Sequence, residues 1–275
     1  MIEITEQNIQ QVLAAARRAS TQIMAHYKKP LEITNKEDDT PVTNADMASH
    51  IILAEDLPRV INIPVLSEEG EDSVADVAQW TKFWVVDPLD GTKGFIQQTD
   101  EFAINIAIVE NQRAVFGMLY VPVTQQAYYA VRGRGAFKLH GEEWQKIVVA
   151  PKNISPEQES SKIKALGSRR HSPSPRVQRL CDLLGDCGYI SIGSAIKFAV
   201  IAEGGAHLYP RFGPSSWWDT AAGQCIVEEA GGMVVDADLQ PLIYKHSDNF
   251  LSPNFIAAAF QDEAWDRAWT KINTE

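Results

Sequence analysis

A succession of short apolar segments in the first half of the chain constrains its fold more than any other feature. Val, Ile, Phe and Tyr dominate six segments, at 61–67, 82–86, 102–109, 113–121, 126–131 and 135–139. Turn residues separate some of them, at Glu110-Asn111 and at Gly133. Because β-branched and aromatic residues favour strands, and short turns join neighbouring strands, this region predicts an antiparallel meander.

Two helical patterns precede most of the meander. The first follows Thr5, a predicted N-cap, and repeats apolar residues at helical spacing at Ile9, Val12, Leu13 and Ala16. The second carries the apolar residues Met47, Ile51 and Ala54, and Pro58 is expected to end it. We therefore expect two helices to cover the meander.

From about residue 150 the rhythm changes to alternating strand-like and helix-like segments. In order these are KIKALGS, PRVQRLCDLL, YISIG, AIKFAVIAE, HLYPRF and DTAAGQCIVEEA. The alternation indicates an α/β layer. The polar segment APKNISPEQESSK is the predicted junction, so we expect an N-terminal α+β half at 1–150 and a C-terminal α/β half at 151–275.

Charge and composition narrow the function classes. The 275 residues include 25 basic and 36 acidic side chains, without a stripe of Lys or Arg, so a polymeric nucleic acid is not an expected partner. The chain lacks a basic start with an apolar region behind it, a transmembrane-length apolar stretch and a C-x-x-C pair. We expect a cytoplasmic protein, and peripheral association with the inner membrane is left open.

The most informative stretch, WVVDPLDGTKGF, runs from Trp84 to Phe95. Its strand-like residues end in Asp87 and Asp90, and carboxylates at the end of a strand can face a cleft. Pro88 restricts the backbone so that both acids can face one point, and the Leu89 carbonyl can act as a hard oxygen ligand. An Asx-Pro turn without a bound ligand is the alternative interpretation.

The residues after Asp90 favour a phosphate ligand. Gly91 allows the main chain to approach a ligand closely. If Thr92 begins a helical turn, its amide faces a phosphate oxygen, and its hydroxyl can orient a water molecule.

Acidic residues elsewhere could converge on the same point. Glu68 and Glu69 follow strand-like IPVLS, and are alternatively a solvated loop end. Asp219 lies where the N-cap of a helix of small residues is expected, and is alternatively only that cap. Asp46 lies in the second helix, and is alternatively an acid favoured there by the helix dipole. The functional hypothesis is that these acids share divalent cations.

Two segments together resemble a known family. WVVDPLDGTKGF and WWDTAAGQCIVEEAGG are similar to the signature motifs of the inositol monophosphatase superfamily, the lithium-sensitive, magnesium-dependent phosphatases. SEE at 67–69 and PVTNAD at 41–46 fall in the family's order and spacing. GSAIKF at 193–198 and LYPRFGPSSWWDTAAG at 208–223 resemble the CysQ branch, the 3'(2'),5'-bisphosphate nucleotidases of sulfur assimilation.

The resemblance implies a fold and a metal site. The fold would be α+β, a layered αβαβα sandwich of the sugar-phosphatase type. Two or three magnesium ions would be bound. Glu68, Asp87 and the Leu89 carbonyl would hold the first, and Asp87, Asp90 and Asp219 the second.

The resemblance also implies a reaction. A magnesium-activated water would attack the 3'-phosphate of adenosine 3',5'-bisphosphate in line, without a phosphoenzyme. Thr92 and Glu68 would orient that water, Asp46 would accept the Thr92 hydroxyl hydrogen bond, and the amides of Gly91 and Thr92 would hold the phosphate. The sequence leaves open the related compound 3'-phosphoadenylyl sulfate as a second substrate.

The second phosphate of such a substrate requires a cation. Lys197 of GSAIKF, or Arg169 and Arg170 of GSRRH, could supply it, and the alternative for Lys197 is an exposed helix lysine. The predicted substrate-binding residues are Glu68, Leu89, Asp90, Gly91, Thr92, Lys197 and Asp219.

Other functions fit parts of the pattern. An inositol monophosphatase or another sugar-phosphate phosphatase would share the motifs, and a non-enzymatic sensor would bind the nucleotide without hydrolysis. Haloacid-dehalogenase phosphatases use a D-x-D-G-T loop with a covalent aspartyl nucleophile, whereas the spacing here is D-x-x-D-G-T. The extra residue and the early antiparallel sheet disfavour that class.

Overall fold

The computed structural model describes residues 2–29, 33–35, 41–151, 163–168, 173–185, 187–245 and 249–274. Its helices are α1 (Glu6–His26), α2 (Asn44–Val60), α3 (Val74–Val77), α4 (Thr92–Ile96), α5 (Pro175–Leu184), α6 (Ile196–Ala202), α7 (Trp217–Glu229) and α8 (Glu263–Thr274). Its strands are β1 (Ile33–Asn35), β2 (Pro41–Thr43), β3 (Val65–Ser67), β4 (Lys82–Asp90), β5 (Ala103–Glu110), β6 (Arg113–Val121), β7 (Gln126–Val131), β8 (Gly135–His140), β9 (Glu143–Ile147), β10 (Ile163–Gly167), β11 (Cys187–Ser191), β12 (Leu208–Arg211), β13 (Ser215–Ser216), β14 (Met233–Asp236), β15 (Leu251–Ser252) and β16 (Phe255–Ala258).

The predicted meander forms most of a seven-stranded sheet. Its order is β3-β4-β5-β6-β7-β8-β9, and the strands from β4 onward are antiparallel. The prediction was wrong for the first segment, because β3 pairs with β4 in parallel. The connection between them passes through α3 and returns the chain to the same end of the sheet, which a tight turn cannot do.

The second half of the chain builds a five-stranded mixed sheet. Its order is β11-β10-β12-β16-β14. The strand β10 pairs in parallel with β11 and β12, whereas β16 runs antiparallel to β12 and β14. The predicted α/β layer is therefore present, with an antiparallel side that follows Gly232. Most of the predicted junction, residues 152–162, lies outside the described residues.

Three apolar cores separate the layers. Helices α1 and α2 pack on the outer face of the large sheet, α6 and α7 fill the space between the two sheets, and α5 and α8 cover the far side of the second sheet. This order confirms the predicted layered αβαβα sandwich. Among the described residues, no helix combines the length and the apolar character needed to cross a bilayer.

The two N-terminal helices differ in how well they were predicted. Helix α1 begins after Thr5, whose side chain caps it as expected. In α2 the expected apolar face was wrong: Met47 and Ile51 are 41% and 54% exposed. The buried face instead carries Ala45, Ser49, Leu53 and Leu57, at a strict spacing of four. Buried polar Ser49 is tolerated because its hydroxyl donates to the Pro88 carbonyl at 2.8 Å.

The predicted end of α2 was also wrong. Pro58 lies inside the helix, which continues to Val60. Because the helix ends two residues later, Pro58 removes one hydrogen bond from its last turn only. The buried Leu57 packs in the core beneath that turn and holds it in place.

Glycines allow α7 to lie unusually close to its neighbours. A Cβ added at Gly117, on β6, would fall on the carbonyl oxygen of Ala222. A Cβ added at Gly223 would fall on the ring of Phe198, on α6. Real Cβ atoms do not approach other atoms so closely, so the position of α7 between the sheet and α6 depends on both glycines.

Candidate metal centre and phosphate site

Two predicted acids meet because their strands are parallel neighbours. Ser67, the last residue of β3, lies opposite Val86 on β4. The next residue along each strand is an acid, Glu68 after β3 and Asp87 on β4. The Glu68 amide donates to the Val86 carbonyl at 3.1 Å. The carboxylates of Glu68 and Asp87 therefore leave the same end of the sheet, as their positions after apolar strands predicted.

A bulge in β4 directs its second acid. Asp87 pairs with Asn105 and Asp90 with Ala103, so three steps along β4 match two along β5. Pro88 lies in this irregularity, where a missing amide hydrogen breaks no regular ladder bond. The Leu89 amide donates to the Asp87 carboxylate at 2.9 Å, which fixes that side chain.

Helix α7 supplies the fourth acid. Its N-cap is Ser216, and Asp219 is its third residue, so the predicted N-cap position of Asp219 was wrong. The Asp219 carboxylate still accepts the Ser216 amide at 2.8 Å, as the third residue of a capping box does. Carboxylate oxygens of Asp87, Asp90 and Asp219 all lie within 4.8 Å of one another.

The electrostatics of this acidic cluster favour a cation. Burial raises the pKa of Asp87 well above its usual range, and the charges of Glu68, Asp90 and Asp219 raise it further. Burial and the charges of Asp90 and Glu68 raise the pKa of Asp219 to about 7. Converging hard oxygen ligands whose negative charges repel one another are the donor set that magnesium prefers, so these residues fit that ion.

An acid, Asp46, also determines the hydrogen bonding of the nearby Thr92 hydroxyl. The Thr92 side-chain oxygen lies 3.0 Å from an Asp46 carboxylate oxygen and 3.1 Å from the Leu89 carbonyl. The other Asp46 oxygen accepts the amide and the hydroxyl of Thr43, at 2.8 and 2.6 Å. Burial raises the pKa of Asp46, and these hydrogen bonds oppose that shift.

A helical turn begins at Thr92, as the sequence suggested. Gly91 has φ +93°, is the N-cap of α4, and is followed by Thr92 as the first helical residue. The absence of a side chain at Gly91 lets two other parts of the protein pack closely against it. A Cβ there would lie 2.9 Å from the Glu101 carbonyl oxygen and 3.2 Å from the Ser194 Cβ. The loop is therefore packed against two other segments.

Lys197 is buried, with 5% of its surface exposed, so the alternative of an exposed helix lysine is wrong. Its ammonium donates to the carbonyls of Ile192 and Ser194 and lies 5.0 Å from the centre of the Tyr209 ring. Burial lowers the pKa of Lys197 to about 8, and the charge of Asp90 opposes that shift. Two of its three N–H groups are thus used, and one is left for a ligand.

A cavity of about 340 Å³ contains these groups. Among the candidate residues that the structure describes, all but Asp46 and Glu69 line it, and Asp46 reaches it through Thr92. Arg169 and Arg170 lie outside the described residues. The sequence interpretation missed Arg211 and Glu101, which also line the cavity.

Arg211 ends strand β12 and brings a second cation to this cavity. Its guanidinium donates through Nε to Ser215 at 2.9 Å and through Nη2 to the Pro214 carbonyl at 3.1 Å. These bonds orient the planar group and use only part of its five N–H donors. An arginine at the end of the strand-like HLYPRF was the sequence signal that could have identified it.

Known proteins share this architecture and sequence. The inositol monophosphatase family model matches residues 5–269. The chain is 40% identical over 250 residues to the 3'(2'),5'-bisphosphate nucleotidase CysQ of Salmonella typhimurium, covering 90% of this chain and 98% of the relative. It is 37% identical over 255 residues to the Escherichia coli K12 protein of the same name, covering 92% of this chain and all of that protein.

A solved structure agrees with the sequence relatives. The crystal structure of CysQ from Bacteroides thetaiotaomicron, a bacterial member of the inositol monophosphatase family, superimposes with a TM-score of 0.78 at 35% identity. The match covers 93% of this chain and 98% of that protein. The chain therefore belongs to the inositol monophosphatase family.

Proposed function

We propose that this protein is a magnesium-dependent 3'(2'),5'-bisphosphate nucleotidase. It releases the 3'-phosphate of adenosine 3',5'-bisphosphate and leaves AMP, and 3'-phosphoadenylyl sulfate is its second substrate. The observation that carries the proposal is the convergence of Asp87, Asp90 and Asp219 in a cavity that also contains two cations. In this proposal residues 1–150 supply the loop with Asp87 and Asp90, and residues 151–275 supply Asp219.

The family's cofactor is magnesium, and the acidic cluster would hold two or three ions. Glu68, Asp87 and the Leu89 carbonyl form one ligand set, and Asp87, Asp90 and Asp219 form the other. When bound, magnesium supplies positive charge that offsets the phosphate oxygens and lowers the pKa of water. Asp87 belongs to both sets, in keeping with its burial at the centre of the cluster.

The chain's own residues prepare the attacking water. Thr92 has one hydroxyl proton, and the Asp46 carboxylate is a stronger acceptor for it than the Leu89 carbonyl. With that proton directed to Asp46, the Thr92 oxygen presents a lone pair that can accept a proton of the water. Glu68 accepts the other proton, so the water's own lone pair faces the phosphorus.

The phosphate ester is held on the opposite side of that water. The amides of Gly91 and Thr92, at the start of α4, donate to the oxygens of the 3'-phosphate. The remaining donors of Lys197 and Arg211 receive the 5'-phosphate. Attack in line forms the new phosphorus–oxygen bond as the bond to the ribose oxygen breaks. The attacking water gives up one proton to Glu68, and the ribose oxygen takes up a proton from solvent, so that AMP and inorganic phosphate are released.

The two cations favour a substrate with two phosphates over one with a single phosphate. An inositol monophosphate has no second phosphate for the remaining N–H groups of Lys197 and Arg211, so it would lack the binding energy of those charged hydrogen bonds. The same groups are what a non-hydrolysing nucleotide sensor would need. The Thr92–Asp46 contact favours hydrolysis over sensing, because binding alone does not require an oriented hydroxyl.

Phosphate release from three substrates tests the proposal. Adenosine 3',5'-bisphosphate, inositol 1-phosphate and fructose 1,6-bisphosphate are compared with magnesium and with EDTA. We expect kcat/KM for the nucleotide to exceed that for inositol 1-phosphate by about 10- to 100-fold, the effect of one or two charged hydrogen bonds, and to vanish with EDTA. Equal or faster release from inositol 1-phosphate would support the sugar-phosphatase alternative, and tight nucleotide binding without release would support the sensor.

A further inference from the structure

Glu101 has no role in the reaction described above, yet three glycines close around it. A Cβ added at Gly91 would lie 2.9 Å from the Glu101 carbonyl oxygen, and one at Gly94 would lie 3.1 Å from the same atom. A Cβ added at Gly193 would lie 2.9 Å from the Glu101 Cβ. Gly91 belongs to the loop of Asp90, Gly91 and Thr92, Gly94 belongs to α4, and Gly193 belongs to a different wall of the cavity.

The Glu101 carboxylate joins those walls by a hydrogen bond. Its Oε2 atom accepts the Gly193 amide at 2.8 Å, across 92 positions of sequence. Gly193 begins the short segment that leads to Ala195, and the Ala195 amide donates to the Asp90 carboxylate. One main-chain segment thus connects Glu101 to a member of the acidic cluster.

Each residue of segment 192–195 makes a main-chain hydrogen bond to a charged side chain. Proceeding along it, the Ile192 carbonyl accepts from Lys197, the Gly193 amide donates to Glu101, the Ser194 carbonyl accepts from Lys197 and the Ala195 amide donates to Asp90. Ser194 has φ +51°, a conformation that costs energy for a residue with a side chain. The segment 192–195 therefore holds a strained shape through bonds to three charged side chains.

The negative charge of Glu101 is unexpected in a cavity that binds phosphate groups. A carboxylate in a cavity for phosphate dianions repels the substrate, an unfavourable arrangement unless the group does something else. The charge of Glu101 helps to keep buried Lys197 protonated, and its Oε2 atom holds the wall. Both contributions concern the shape and charge of the site before substrate arrives.

We propose that Glu101 is a positioning residue, which fixes segment 192–195 against the loop of Asp90, Gly91 and Thr92 and thereby orients the Asp90 carboxylate. The inference rests on the proposed phosphatase activity. It acts on kcat, because a displaced Asp90 changes the geometry of the reacting atoms. It also acts on the dynamics of segment 192–195 when no substrate is present.

The test compares Glu101→Ala, Glu101→Gln and a matched control, Glu229→Ala. Glu229 also accepts main-chain amides across a long sequence separation, those of Gly133 and Gly135 at 2.9 and 2.8 Å, and it does not line the cavity. Removal of the Glu229 carboxylate therefore measures how much stability and turnover change when a long-range hydrogen bond of this kind is lost outside the cavity. Turnover of adenosine 3',5'-bisphosphate and amide hydrogen exchange of the substrate-free proteins are measured for all three.

We expect Glu101→Ala to lower kcat by about 10- to 100-fold and to accelerate exchange at the amides of Gly193 and Ala195. Glu101→Gln keeps an acceptor oxygen and should recover most of kcat. Glu229→Ala should leave kcat within about twofold of wild type while its thermal midpoint falls. Gly193→Ala, which places a methyl group against Glu101, should reproduce the loss from the other side of the contact.

Two results would overturn the inference with the proposed function intact: an active wild type whose Glu101→Ala variant keeps its kcat, or a Glu101→Gln variant as impaired as Glu101→Ala. Unchanged exchange at Gly193 and Ala195 in Glu101→Ala would overturn it independently of any activity. Failure of the wild type to release phosphate from the nucleotide would instead contradict the proposed function.

Discussion

Asp46 and Asp219 occupy the same place in two different helices, and the comparison separates local structure from chemistry. Each is the third residue of its helix and accepts the amide of the capping residue at 2.8 Å, from Thr43 in α2 and from Ser216 in α7. Asp219 then faces two other carboxylates, whereas Asp46 faces the hydroxyls of Thr43 and Thr92.

The difference shows that a capping box does not determine what its acid does. In both helices the cap accounts for one carboxylate oxygen and leaves the other available. The layer packing decides what that second oxygen meets: α7 lies between the sheets and points at the end of β4, and α2 lies outside and reaches the site through Thr92. We infer a metal ligand in the first case and a hydrogen-bond acceptor for the Thr92 hydroxyl in the second.

The largest expected effect is that of Asp219→Asn. The amide oxygen preserves the cap, but a charged ligand is lost from the acidic cluster, and we expect kcat to fall by about 10³-fold. Magnesium affinity, measured by calorimetry, should fall with it. Asp76→Asn is the control, because Asp76 forms the same capping box with Ser73 at an exposed position outside the cavity. Turnover close to wild type in Asp219→Asn would remove this residue from the ligand set.

A smaller effect is expected for Asp46→Asn. The variant keeps the cap and all the proposed metal ligands, but it weakens the acceptor for the Thr92 proton, so the hydroxyl no longer orients the water. We expect kcat to fall by about 10²-fold. Magnesium affinity should remain within about threefold of wild type. If Asp46→Asn loses magnesium as Asp219→Asn does, the two acids have the same role and the contrast between them is wrong.

The smallest effect concerns stability and pH. Because the pKa of Asp219 rises from its ordinary value of 3.8 to about 7 on folding, the folded state binds its proton more tightly than the unfolded state. The resulting stabilisation is complete below about pH 4 and is lost as pH rises through about 7. We therefore expect the free energy of unfolding of the metal-free protein to fall across this range, more steeply in wild type than in Asp219→Asn.

Denaturant unfolding in EDTA at several pH values measures this difference. Burial lowers the pKa values of His50 and His207, which acts in the opposite direction, but both residues are present in both proteins and their effect cancels. Saturating magnesium should remove the excess slope of wild type. Identical slopes for wild type and Asp219→Asn in EDTA would show that Asp219 does not carry the raised pKa.

Features with local causes could be predicted from the sequence. Helix α5 runs from Pro175 to Leu184, as the segment PRVQRLCDLL indicated, because a proline suits the first turn of a helix and Gly185 can adopt the positive φ that follows its end. The acids Glu68 and Asp87 were predictable for a similar reason, since each directly follows a run of apolar strand residues. The change of period along the chain indicated a helix-covered meander followed by an α/β half, whereas the layered αβαβα arrangement was an implication of the family resemblance.

Features with distant causes could not be predicted in this way. The parallel pairing of β3 depends on the crossover through α3, and the buried face of α2 depends on the sheet beneath it. Glu101 lies in a polar turn, and only the fold brings it to Gly193. Lys197 was a candidate from the sequence and lines the cavity, but its burial between loop carbonyls could not be predicted.

The close contact between Gly117 and Ala222 means that the geometry of the active site also depends on a residue far from the proposed ligands. A larger residue at position 117 would push the whole helix outward as a rigid body, and Asp219, near the start of that helix, would move with it. The distance between the carboxylates on β4 and on α7 is therefore set by the spacing between the large sheet and helix α7. Anyone redesigning this scaffold for another metal would have to adjust that spacing in the interior before changing a single ligand.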